Sequence, residues 1–266
     1  MARHDKIELG TCRICGLHKR LTEEHIPPKS AFNNGTMLIY SGEEAIKAIT
    51  DESRLPWDFE GLKYKIKQGG RTFKTLCSKC NSYCGTNYVD YYQTTVKSFA
   101  HFLSTLDLLN AKYIEAKTEK FKPLPFFKQI IAMFASLTNI TNENNMRDFI
   151  LDKEDNNFDD KKYRVYMSIF KEGINRISGW SVLGRTDGNF LVSEIVSYPF
   201  IFVLLGNAYE HKLKECCEFG VDITNFAKFK FNEEISLEIF LPINECNINL
   251  PCDYRTKEEI TLVSKE

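Results

Sequence analysis

The 266-residue sequence has no apolar run that approaches the roughly 20 residues a helix needs to span a bilayer; the longest lie around Ile130–Ala135 and Phe200–Leu205. Its first ten residues, Met1 to Gly10, are charged and lack the apolar core of a secretory signal. Internal repeats and low-complexity tracts are missing too. A net charge of only -1 says nothing about partners by itself, so the distribution of charge has to be read. These absences leave a soluble globular protein with no membrane partner, and the expected location is cytoplasmic.

Cysteine is what the chain does have. There are nine, an odd number, and without a signal segment a secreted disulfide scaffold is the poorer account. Thiols kept reduced for metal binding are the simpler one. Charge is also unevenly placed. Residues 1–100 carry a balance of +4 and the remainder a balance of -5. A polyanion-binding front half and a different role for the back half are therefore expected.

Along the chain, Asn33-Asn34-Gly35 marks a turn, residues 31–60 look like an insertion, and Ser41–Ile49 fits a short capped helix. In Gly61–Gly70, the apolar Leu62, Tyr64 and Ile66 alternate with Lys63, Lys65 and Lys67, which predicts a strand with one apolar and one basic face. Between Gly61 and Cys80 there are six basic residues and no acidic one. Lys63, Lys65, Lys67, Arg71 and Lys74 are the candidates for gripping phosphates. Helical spacing then predicts one amphipathic helix over Asn87–Asn110, a second over Phe126–Leu137 and a short third within Asn142–Lys153. From Tyr163 the pattern becomes one of strands: Tyr163–Phe170, Ile177–Leu183, Phe190–Tyr198, Phe200–Leu205 and Ile235–Leu241, with a turn at Thr186–Asn189. The expected class is α+β, with segments 1–95, 96–160 (helical) and 161–266 (β-rich, mostly antiparallel). Cys216, Cys217, Cys246 and Cys252 lack ligand spacing and are expected to be incidental thiols.

Two CxxC pairs carry the chemistry. Gly10-Thr-Cys12-Arg-Ile-Cys15-Gly16 and Leu76-Cys77-Ser-Lys-Cys80-Asn81 together supply four thiolates, the ligand set of a tetrahedral structural zinc. Between them lies Leu21-Thr22-Glu23-Glu24-His25-Ile26-Pro27-Pro28. Imidazole suits a general base for water, while a carboxylate and an amide oxygen suit a hard divalent cation.

This pattern, CxxC, then acid-His-Ile-x-Pro, then Leu-Cys-x-x-Cys-Asn opening a helix, resembles the HNH (ββα-metal) endonucleases of the subgroup braced by a four-cysteine zinc. The resemblance covers about residues 8–95, with a weaker likeness at Lys128-Gln129-Ile130. It implies an N-terminal ββα-metal domain in which Cys12, Cys15, Cys77 and Cys80 hold structural zinc. It further implies that His25 activates water, and that Glu24 and Asn81 bind Mg²⁺ or Mn²⁺. The substrate would be nucleic acid, DNA ahead of RNA. Thr72 stands where such proteins carry the Asn that orients the base, and Asn33, Asn34 and Asn87 are the candidates to replace it. From the architecture alone comes a further expectation, that the β-rich half senses a protein or ligand partner and controls the nuclease, as in bacterial antiviral defence effectors. The competing expectation is a non-catalytic zinc module that binds nucleic acid or protein.

Overall fold

Gly16 turns the chain back after Cys15 at φ 71°, a left-handed conformation that costs glycine little. The flanking strands β1 (Leu9–Thr11) and β2 (His18–His25) consequently pair antiparallel, with Thr11 opposite His18. The structure is a computed structural model that describes residues 8–51, 53–142, 144–185, 188–208, 216–217 and 219–263. Thr186 and Asp187 of the expected turn lie outside the described residues.

Residues 26–71 separate β2 from its second partner. They contain β3 (Met37–Tyr40), α1 (Gly42–Thr50) and β4 (Tyr64–Lys67). Ser41 caps α1, its hydroxyl accepting from Glu44 N at 3.2 Å. Strands β3 and β4 form a ribbon of their own, with Leu38 opposite Ile66 and Tyr40 opposite Tyr64. The expected period-two strand is present, but its apolar face is not buried. Tyr64 is 52% and Ile66 64% exposed, because no second layer among the described residues covers the ribbon.

After the ribbon, β5 (Thr72–Cys77) returns antiparallel to β2 and runs directly into α2 (Ser78–Asn87). The N-terminal unit is thus a three-stranded antiparallel sheet in the order β1-β2-β5, followed by a helix. The single helix expected from Asn87 is instead the second of two, since α3 (Val89–Ser104) begins after a break at Tyr88. That residue is fully buried, and its hydroxyl donates to Ile150 O at 2.6 Å.

The strand β6 (Tyr113–Phe121) interrupts the segment expected to be helical. Its apolar residues Ile114, Ala116 and Phe121 are buried, while the charged residues between them kept its signal weak. α4 (Pro123–Leu137) follows, with prolines in the first turn where no amide hydrogen is needed. Nearly all of its side chains are buried, as suits a helix apolar on every side. α5 (Asn144–Leu151) packs beside it.

The remaining strands are β7 (Arg164–Gly173), β8 (Ile177–Arg185), β9 (Gly188–Ser197), β10 (Phe200–Gly206), β11 (Cys216–Cys217), β12 (Gly220–Asp222) and β13 (Ile235–Cys246), before a last helix α6 (Lys257–Val263). With β6 they make an eight-stranded sheet among the described residues, antiparallel except where β13 runs parallel to β7. The class is mixed α+β.

β10 shows how the core is divided. Phe200, Phe202 and Leu204 join one cluster, and Ile201, Val203 and Leu205 join another on the opposite face of the sheet. The first cluster runs without a break from Cys12 and Ile14 through Tyr92 of α3 and Phe126 of α4 to Val165 of β7. The three expected segments thus share one core, and the boundary placed at residue 95 falls inside α3. No helix among the described residues is long and apolar enough to cross a membrane.

Candidate metal centre and the cavity beside it

Cys12 and Cys15 sit on the turn between β1 and β2, Cys77 ends β5, and Cys80 lies in the first turn of α2. Their four sulfurs all lie within 4.8 Å of one another, and Cys15 Sγ is 3.9 Å from Cys77 Sγ. Zinc–sulfur bonds of about 2.3 Å in a tetrahedron set sulfurs roughly 3.8 Å apart, so the donor set fits zinc. The amide of Cys77 points at Cys12 Sγ from 3.3 Å. A hydrogen bond from Cys80, helped by neighbouring amides, lowers the Cys12 thiol to about 4, and the thiolate so formed pushes Cys80 upward.

The cysteine turn is also docked on the helices. Arg13 donates to Ser136 O at 2.7 Å, and Arg147 Nε donates to Ile14 O at 3.2 Å. The thiols of Cys84 and Cys246 are buried outside the cluster, each raised to about 12 by that burial. Cys252 is half-buried, and the side chains of Cys216 and Cys217 lie outside the described residues.

Beside the cluster, Glu24, His25 and Asn81 line one cavity of about 480 Å³. Strand and helix together bring these three side chains to the same place. The pairing of β2 with β5 slips between Thr22 and Glu24, where Lys74 and Thr75 oppose the single Glu23. Such a bulge redirects side chains locally. Glu24 is buried, Thr75 Oγ1 donates to its Oε1, and Leu76 N donates to its Oε2 at 3.2 Å. Burial raises this carboxyl to about 7 despite those donors and the Ser136 hydroxyl. Asn81 Nδ2 donates to Thr22 Oγ1 at 3.3 Å and to Glu23 O at 3.1 Å. Its Oδ1 receives no hydrogen bond among the described residues. A carboxylate and an amide oxygen form a donor set suited to a hard divalent cation.

His25 Nε2 lies 3.0 Å from Gly69 O. A carbonyl only accepts, so Nε2 carries the hydrogen and the lone pair is left on Nδ1. Thr72 is directly opposite His25 in the ladder, and the Gly69 carbonyl is what fixes the ring. Asn33 in turn fixes that stretch of chain. Its Nδ2 donates to Pro27 O at 2.7 Å and to Arg71 O at 2.9 Å, and its Oδ1 accepts from Arg71 N at 2.6 Å. Asn34 lines the cavity, whereas Asn87 is turned away and donates to Tyr83 O at 2.8 Å. Of the three asparagines, Asn33 has the bracing geometry.

The basic candidates do not behave as one group. Lys63 and Lys65 are exposed on the ribbon, and Lys67 is half-buried 4.0 Å from Glu23. Lys74 stands 3.7 Å from Glu8. Arg71 is committed elsewhere, donating from its guanidinium to Asn175 O at 3.1 Å, which ties the ribbon's base to the loop before β8.

Missing from the sequence-derived set is the far wall of the cavity, formed by Gln129, Ala132, Met133 and Ser136 of α4. Their spacing of three, four and seven residues puts them on one helix face; Gln129 and Ser136, polar members of that face in an apolar helix, were the available signal. Comparison of the chain with known protein families, with curated proteins and with solved structures finds no match in any of the three.

Proposed function

We propose that this chain is a metal-dependent endonuclease of the HNH type, hydrolysing phosphodiester bonds in nucleic acid, with DNA the first substrate to test. The observation that carries the proposal is the setting of His25. Its Nε2 is held on Gly69 O at 3.0 Å, and it shares a cavity with Glu24 and Asn81 beside a four-thiol cluster that fits zinc.

In this reading the zinc is structural, tying the β1–β2 turn to the start of α2. His25 Nδ1 takes the proton from the attacking water, while Gly69 holds the ring in the required tautomer and orientation. Glu24 and Asn81 would hold Mg²⁺ or Mn²⁺, which when bound supplies positive charge against the charge that develops on the phosphate and leaving oxygen. Lys63 and Lys65 contact backbone phosphates without selecting sequence.

A plasmid-nicking assay with Mg²⁺ or Mn²⁺ tests the proposal. Removing a general base costs about 10²–10⁴ in rate, and His25→Ala should lose that much. Equal cleavage by both proteins would remove His25 from the chemistry.

One observation favours a second reading, a non-catalytic zinc module that binds nucleic acid or protein. Both Glu24 oxygens already accept hydrogen bonds from the chain itself, as they would if the carboxyl were a part of the frame. Full zinc content with no divalent-dependent cleavage of DNA or RNA would decide for that module.

A further inference from the structure

Gln129 is the one feature of the cavity wall that packing leaves unexplained. It is 5% exposed, and its Oε1 is buried with no hydrogen-bond partner among the described residues. Buried polar atoms in folded proteins are nearly always paired, so an orphan calls for a reason. Ser136, two turns further along the same face, has its reason in the chain: its hydroxyl donates to Ala132 O at 3.3 Å and reaches the Glu24 carboxyl. Nothing among the described residues plays that part for Gln129 Oε1. Its side chain borders the cavity that Glu24 and Asn81 line from the opposite side, and a half-turn of its last torsion exchanges amide oxygen and nitrogen.

The character of the cavity decides what such an amide would meet. Glu23 and Glu24 contribute two acidic groups to the lining, against the single amine of Lys29. An anion placed there without a cation would face a buried carboxylate, whereas a hard cation would find that carboxylate, the Asn81 amide oxygen and, once that torsion has turned, the Gln129 amide oxygen. Amide oxygens of Asn and Gln are ordinary ligands for such ions.

We propose that Gln129 supplies, from α4, a third oxygen ligand to a divalent cation held by Glu24 and Asn81. The inference rests on the cation site of the nuclease reading and extends it. It makes α4, far from the three-strand-and-helix unit in sequence, part of the metal site.

Mn²⁺ alone is the probe, added to the zinc-loaded full-length protein and followed by electron paramagnetic resonance and by calorimetry, without nucleic acid. Gln129→Met, close in volume but lacking a hard oxygen, should weaken Mn²⁺ binding about tenfold or more. Gln129→Glu, which adds a charge at the same place, should tighten it. Thermal melts check that both variants fold. If Gln129→Met does not fold, Gln129→Glu decides alone: tighter binding supports the proposal and weaker binding overturns it. Wild-type affinity in Gln129→Met overturns it as well. Two failures are then distinguishable. If Glu24→Gln and Asn81→Ala abolish Mn²⁺ binding while Gln129→Met leaves it intact, only this inference falls. If the wild type takes up no Mn²⁺ at all, the nuclease reading falls with it.

Discussion

Asn33 and Arg71 are locked together in both directions, with Asn33 Oδ1 accepting from Arg71 N at 2.6 Å and Asn33 Nδ2 donating to Arg71 O at 2.9 Å. The same Nδ2 also reaches Pro27 O at 2.7 Å. One buried amide therefore clamps the chain on both sides of the His25 ring. Asn33→Ala strands these backbone groups and should destabilise the protein by about 2–4 kcal/mol, since leaving buried donors and acceptors unmade costs about 1–3 kcal/mol each. Cleavage should fall further than the loss of folded protein explains, because the Gly69 carbonyl is no longer held. Gly70 offers an independent check. It sits at φ 92°, and a Cβ there would lie 2.0 Å from Asn33 O. Gly70→Ala should reproduce both effects, measured by urea denaturation and plasmid nicking.

Much of this site was legible in the sequence because its parts are local. CxxC spacing marks the four thiols that the fold brings together, and Glu24-His25 and Cys80-Asn81 put the proposed groups in adjacent letters. The remainder was not legible because it is made by distant backbone. The Gly69 carbonyl that fixes His25 has no side chain to read, and Asn33 was only one of three asparagines until the turn around it was seen. Gln129 looked like one polar residue in an apolar helix, and only the packing of α4 brings it to the cavity. For the fold, periodicity placed the long helices and the buried strands of the C-terminal sheet. It missed β6, whose alternation is blurred by Lys117, Glu119 and Lys120, and it could not show that the β3–β4 ribbon lacks a covering layer.

One zinc per chain is expected by native mass spectrometry, carried by the cluster whose sulfurs lie within 4.8 Å of one another. Cys77→Ser should lose it, because a hydroxyl is a poor substitute for thiolate. Cys84→Ala should keep it, although Cys84 lies one turn beyond Cys80. Since the ligands must be deprotonated to bind, zinc should also be released as the solution is acidified. Retention of zinc by Cys77→Ser would assign the ion to another site.

Glu24 gives the pH dependence. Burial raises its folded pKa to about 7, while an unfolded glutamate titrates near 4.3. Between these values the folded state holds a proton that the unfolded state has released. Stability from this group is therefore full below about pH 4.3, declines as the pH rises toward 7 and is lost above it, by about 4 kcal/mol in all. Glu24→Gln removes the titration. Without added Mg²⁺ or Mn²⁺, the variant should show a smaller loss of stability than the wild type between about pH 5 and 8. Parallel curves for the two proteins would mean that Glu24 does not titrate in that window.

The basic residues should separate in the salt dependence of DNA binding. Removing one charge that neutralises a phosphate reduces the slope of log affinity against log salt by about 0.9. Lys63→Ala and Lys65→Ala should each show that change with an unaltered melting temperature, because both side chains are exposed. Arg71→Ala should behave differently. Its guanidinium holds Asn175 O, so the main effect expected is on stability, with little change in slope. A slope change at Arg71 equal to that at the lysines would return it to the phosphate-binding set.

The shared core should make the N-terminal unit dependent on α4 and the C-terminal sheet. Tyr92 of α3 stacks on Phe126 of α4 with ring centroids 5.7 Å apart, and Phe99 meets Phe200 of β10 at 4.9 Å. Arg13, between two of the clustered cysteines, is bonded to the end of α4. A fragment ending at residue 110 would expose that aromatic face and lose the α4 wall of the cavity. Burying an aromatic side chain contributes about 1.5–3 kcal/mol, and several are stranded at once. The zinc-saturated fragment 1–110 is therefore expected to show no cooperative thermal transition and no divalent-dependent cleavage, while the full chain shows both. A fragment that melts cooperatively and cuts DNA as the full chain does would mean that the N-terminal unit folds alone and that α4 is dispensable to it.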